Sequence, residues 1–137
     1  MGLFGIFGGK HKLPAVVDES AAGIKPQIDA ARRFYSSAAA FDSKLASENT
    51  AAFLHGFVLY FASKHGVKAP DLVWAATVQS FDQVFGGRLS GAIVMSLQRA
   101  LRNGTADHWI SEGAGAAKYF DNERIDLLTS FLEGGAS

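Results

Sequence analysis

The stretch Ser47-Glu48-Asn49-Thr50-Ala51-Ala52-Phe53-Leu54-His55-Gly56-Phe57-Val58-Leu59-Tyr60-Phe61-Ala62-Ser63-Lys64-His65-Gly66 carries apolar groups at helical spacing. Phe53, Leu54, Phe57, Val58 and Phe61 recur at three and four residues, the period of an α-helix. Ser47 is placed to cap the first turn and Gly66 to end the last. Between Phe53 and Phe61 the helix is apolar nearly all round. A helix of that kind belongs in the middle of a fold, covered on every side.

Working outward, the same period recurs. Pro26 suits a first helical turn, and Ile28, Ala31, Phe34, Tyr35, Ala38, Phe41 and Leu45 predict a helix over roughly 26–46. Pro70 and Asp71 open a helix with Trp74, Val78, Phe81 and Phe85 on one face, stopped by Gly86-Gly87. Leu89, Ile93, Leu97 and Leu101 mark another, flanked by the small residues Gly91, Ala92, Ser96 and Ala100 and ended by Asn103-Gly104. Thr105 is read as the cap of a helix holding Trp109 and Ile110, bent or broken at Gly113 and Gly115. A last helix is expected over 121–133, with Ile125, Leu128, Phe131 and Leu132 inward. Residues 1–25 read as mixed or irregular, because glycines and Pro14 break early periodicity, and 134–137 as a flexible tail. No strand-like alternation and no repeat of 20 to 50 residues is present. The expectation is one all-α domain: an irregular or orthogonal bundle of about six helices.

Composition narrows the function classes. Thirteen basic and 13 acidic residues cancel, and the pI is about 6.9. A chain that grips nucleic acid usually shows a basic excess, so no nucleic-acid partner is expected. With no cysteine, disulfides, thiolate chemistry and sulfur-bound zinc are excluded, which suits the cytoplasm. No run approaches the roughly 18 apolar residues of a membrane span. Charged residues make up 19%, below the usual ~25%, and there are 11 Phe. The mean hydropathy is +0.11. Such a surplus fills a dense core or lies under a partner.

The opening Met1-Gly2-Leu3-Phe4-Gly5-Ile6-Phe7-Gly8-Gly9-Lys10 is apolar but lacks the basic start and cleavage pattern of a secretion signal. Ile6 stands where a myristoylation site needs Ser or Thr. Burying Leu3, Phe4, Ile6 and Phe7 would contribute roughly 6–12 kcal/mol. Ordering the ten residues' backbone costs about 10–20 kcal/mol. Docking on the protein's own body ranks first for this segment, a partner or second copy next. A membrane surface comes last, since only Lys10 and Lys12 lie nearby to attract anionic lipid.

Chemistry-bearing residues are few. His55 and His65, ten residues apart, do not share a helix face, and His108–Glu112 is the one His–carboxylate pair at helical spacing. No second ligand pair accompanies it, so no metal and no cofactor, haem included, is expected. Gly86-Gly87-Arg88 lacks the Lys and Ser or Thr of a phosphate loop, and no Gly-x-Ser-x-Gly elbow occurs. Asp121, Glu123 and Asp126 read as helix-opening acids favoured by the dipole, and Asp18-Glu19 as a solvated turn. Arg88, Arg99 and Arg102 share a helix face, and Arg32-Arg33 form a second basic spot. An arginine stripe is most often a solvated face and otherwise a grip on phosphate or an acidic protein. Trp74 and Trp109 read as core first and as interface anchors second.

The sequence-based expectation is a protein-binding module without enzymatic activity, of adaptor, inhibitor or immunity type. Its contact residues are Arg88, Arg99 and Arg102, with Phe4 and Phe7, and its partner is another protein or a second copy of the chain. The alternative is a small apolar-ligand carrier or enzyme with a pocket lined by Phe53, Phe57, Phe61, Phe81 and Phe85. A third reading is peripheral membrane association through the N-terminal Gly/Phe segment.

Overall fold

The computed structural model describes the backbone of residues 2–134 and the side chains of 10–134. It is all-α, a compact bundle of seven helices, with no strand among the described residues. They are α1 (Gly2–Arg32), α2 (Ala38–Leu45), α3 (Glu48–Lys64), α4 (Pro70–Phe85), α5 (Gly87–Asn103), α6 (Asp107–Glu123) and α7 (Leu128–Glu133). Among the described residues no helix is long and apolar enough to cross a membrane.

Helix α3 is the centre. The Ser47 hydroxyl accepts from the Thr50 amide at 3.3 Å, and every residue from Thr50 to Val58 is buried. Helices α1, α4, α5 and α6 pack around it. The closest approach is to α6, where each helix offers a glycine to the other's backbone. A Cβ on Gly56 would stand 2.0 Å from the Ile110 carbonyl oxygen, and one on Gly113 would stand 1.8 Å from that of Phe53. Helix α6 is therefore unbroken at Gly113 and Gly115, contrary to the interruption read from the sequence. At Gly113 the missing side chain allows contact, and burial of Ala116 and Ala117 around the crossing outweighs the poor helix propensity of glycine.

The expected irregular segment 1–25 is instead helical from Gly2, and α1 runs through both Pro14 and Pro26. An internal proline costs about 3 kcal/mol. Here both prolines are exposed, as are Lys10 and Ala22, the residues whose carbonyls lose their amide partners. The opposite face buries Val16, Val17, Ile24, Ile28 and Ala31, at about 1.5–3 kcal/mol for each larger side chain, which offsets the penalty. The expected helix over 26–46 is correspondingly split. Its turn at 33–37 is held by the Tyr35 hydroxyl, which donates to the Leu132 carbonyl at 2.6 Å, and Ser37 caps α2.

Two further boundaries shift. Thr105 does not cap α6, whose cap position is Ala106 without a side-chain hydrogen bond. The expected helix 121–133 is the end of α6, a left-handed turn at Arg124 and the short α7. Leu128 and Leu132 are buried and Phe131 half-buried, but Ile125 lies in the connecting turn and is exposed rather than inward. Leu101 is also exposed. Each i+4 step advances about 40° around a helix, so by the third step the row Leu89, Ile93, Leu97, Leu101 has left the core face.

Candidate functional site

The four histidines separate into distinct environments. His11 is exposed on α1. His108 is exposed with its ring edge toward Trp109 at 4.7 Å, whereas Glu112 borders a cleft with Phe53 and Phe131. His65, at the C-cap of α3, pairs through Nε2 with Glu19. His55 is buried, with Nδ1 2.7 Å from the Thr77 hydroxyl and its ring edge-on to Trp74 at 6.1 Å. Among the described residues, no three His, Asp or Glu side chains gather as a metal site.

Burial holds the His55 pKa down to about 4, from the ordinary 6.5. The unfolded chain therefore binds a proton between these values that the folded chain refuses. The stability tied to neutral His55 is complete above pH 6.5 and is lost as pH falls toward 4, by roughly 3 kcal/mol. Urea melts across that range should show this slope in the native chain and not in His55→Gln. Equal slopes in both would mean that the imidazole is solvated.

Glu19, Tyr60, Lys64, His65 and Asp121 form one polar cluster joining α1, α3 and α6. Lys64 Nζ lies 3.2 Å from Glu19 and 3.0 Å from Asp121, and the Tyr60 hydroxyl donates to Asp121 at 2.8 Å. Glu19 is thus in a helix and paired, not in a solvated turn. Asp121 and Glu123 end α6 rather than opening a helix, so their charge opposes the dipole. Desolvation pushes the Asp121 pKa up, but the Tyr60 hydrogen bond and Lys64 together hold the carboxyl below its usual range. The charges of this cluster are spent on one another, and the cluster clamps three helices together.

The five phenylalanines of the expected pocket occupy different places. Phe57, Phe61 and Phe81 are buried, with Phe57 against Phe61 at 5.8 Å and Phe120 at 6.4 Å. Phe85 is half-buried, edge-on to Phe81. Phe53 stacks on Phe131 at 4.2 Å beside an open cleft of about 310 Å³ between α6 and α7. The side chains of Phe4 and Phe7 lie outside the described residues.

Arg88, Arg99 and Arg102 are all exposed on the outer face of α5. With Met95, 59% exposed, they fall within about 60° of one another around the helix. Helix α5 contains no Asp or Glu. Arg99 is fixed in place: its guanidinium donates to the Ser96 hydroxyl at 2.8 Å, and buried Ser96 donates to the Ala46 carbonyl. Glu48 is a loose neighbour, 3.8 Å from Arg99 Nε, with both side chains well exposed. Beside this face a shallow groove of about 420 Å³ is lined by Trp74, Gln98, Leu101 and Arg102. Its floor is Trp74, backed by His55.

The arginines were legible from sequence, but Met95 at their centre was not singled out, although it stands four residues before Arg99 and seven before Arg102. Trp74, Leu101 and Ser96 join the site only through the packing of α4 and of the α2–α3 corner on α5. Comparison with protein-family models, with curated proteins and with solved structures finds no match for this chain.

Proposed function

We propose that this chain is a non-enzymatic module of adaptor, inhibitor or immunity type, working in the cytoplasm, that recognises another protein through the outer face of α5. One observation carries the reading: an exposed methionine set among three exposed arginines, of which Arg99 has Glu48 as a loose acidic neighbour at 3.8 Å, beside a groove lined by Trp74. Trp and Arg dominate interface hot spots, and Met adapts to varied partners. The polar groups that resemble chemistry, in the Glu19–Asp121 cluster, are paired with one another across α1, α3 and α6.

The test is retention of a partner from the native cell by the wild-type chain and by the double variant Arg99→Glu, Arg102→Glu. A stoichiometric protein retained by the first and lost by the second is expected. The melting temperature should be nearly unchanged, because exposed charges contribute only about 0–1 kcal/mol to folding. Equal retention by both returns the stripe to a solvated face. A second reading, a small apolar-ligand carrier, draws on the Phe53–Trp109–Phe131 cleft. A stoichiometric small molecule in native mass spectrometry, with no protein retained, would favour it over the first.

A further inference from the structure

We infer that the element recognised by α5 is an acidic amphipathic helix, and that Glu48 occupies the place on Arg99 which a carboxylate of that helix takes. The inference rests on the reading of α5 as the binding face and names the chemistry of its partner.

From Arg88 to Arg102 the stripe spans fifteen residues, about 21 Å of helix, with Met95 midway. Guanidinium groups at this spacing match carboxylates about one and three turns apart on a facing helix, and each arginine can take a carboxylate through two parallel N–H donors. Charge alone would also suit an anionic bilayer. Three arginines, however, fall short of the roughly four to eight basic groups that a lipid surface needs. The groove between Trp74 and Leu101 would take one apolar anchor of the partner helix, the arrangement by which amphipathic helices dock in grooves.

Arg99 is where the geometry is most developed. The chain from its guanidinium through Ser96 to the Ala46 carbonyl holds the side chain in one orientation before any partner arrives. Preorganisation of this kind lowers the entropy lost on binding. Glu48 meets Arg99 only at 3.8 Å and from an exposed position, so it is displaced at little cost. It neutralises the site in the free chain and competes with the incoming carboxylate.

The probe is a synthetic helix of about 15 residues, matched to the stripe length. It carries glutamate along one face and a single phenylalanine. Titration into the full chain, followed by amide chemical shifts, should give saturable changes centred on Met95, Gln98, Arg99, Leu101 and Arg102 that weaken steeply with added salt. Arg99→Glu should weaken binding by about tenfold or more. Glu48→Gln should strengthen it by about two- to fivefold, a gain that a purely structural role for Glu48 does not produce. Affinity indifferent to either substitution overturns the inference. So does absence of saturation at millimolar peptide, or binding of mixed phosphatidylcholine–phosphatidylserine vesicles in place of the peptide. The broader reading is judged separately: a native partner lost with the arginine variant but not displaced by the acidic helix upholds α5 as the face and sinks this account of its occupant.

Discussion

Gly113→Ala is expected to cost about 3–5 kcal/mol, enough to leave a domain of this size at the edge of stability. The added methyl would stand 1.8 Å from the Phe53 carbonyl oxygen. That oxygen belongs to the backbone of a buried helix and cannot swing aside as a side-chain tip would. Relief requires α3 and α6 to move apart along their whole crossing, which loosens the packing of Phe53, Ala116 and Ala117 as well. Overpacking of a core commonly costs 1–3 kcal/mol, and a clash with fixed backbone lies above that range. Gly115→Ala is the matched control. Nothing lies within 4 Å of the Cβ it would add, so it should be neutral or stabilise by up to about 1 kcal/mol through helix propensity. The two variants, compared by urea denaturation, should differ in sign. A loss under ~1 kcal/mol for Gly113→Ala would show that the helices are not this close.

Phe57→Ala should destabilise the fold by about 3–5 kcal/mol. Phe57 is fully buried at the centre of α3, between Phe61 and Phe120. Its ring also lies beneath Gly23 of α1, where an added Cβ would come within 2.9 Å of it. Removing the ring opens a void that α1, α3 and α6 all border, and three packed helices collapse into it poorly. A chemical melt showing less than ~1 kcal/mol of loss would mean that α3 is not the centre of the bundle.

The elements visible in the sequence are those whose signals are local. Ser47 and Gly66 bracket α3, Pro70 and Gly86 bracket α4, and Asn103-Gly104 closes α5; each boundary is set by residues within a turn of it. Helix α1 was hidden because its prolines advertise a break locally, while the burial that overrules them comes from distant helices. Gly113 was misread for a related reason. A glycine that breaks a helix and a glycine that lets two helices touch are the same letter, and only the neighbour distinguishes them. Asp121 changes meaning with a boundary: it is stabilised by the dipole at a helix start but needs Tyr60 and Lys64 at a helix end. In the candidate site, the arginine stripe follows from periodicity alone. The Ser96–Ala46 anchor of Arg99 and the approach of Glu48 are tertiary facts, joining residues 50 and 51 apart, and no pattern in the sequence announces them.

The glycine crossing also bears on how the chain is made. Gly56 meets Ile110 and Gly113 meets Phe53, pairs separated by 54 and 60 residues. At about 5–20 residues per second, a ribosome needs roughly 3–12 s to travel from one side of the crossing to the other. Throughout that interval α3, apolar nearly all round, has been synthesised without its closest neighbour. The nascent chain therefore presents its greasiest segment before the helix that covers it exists, and its yield in the cell should depend on a holding chaperone more than its modest size suggests.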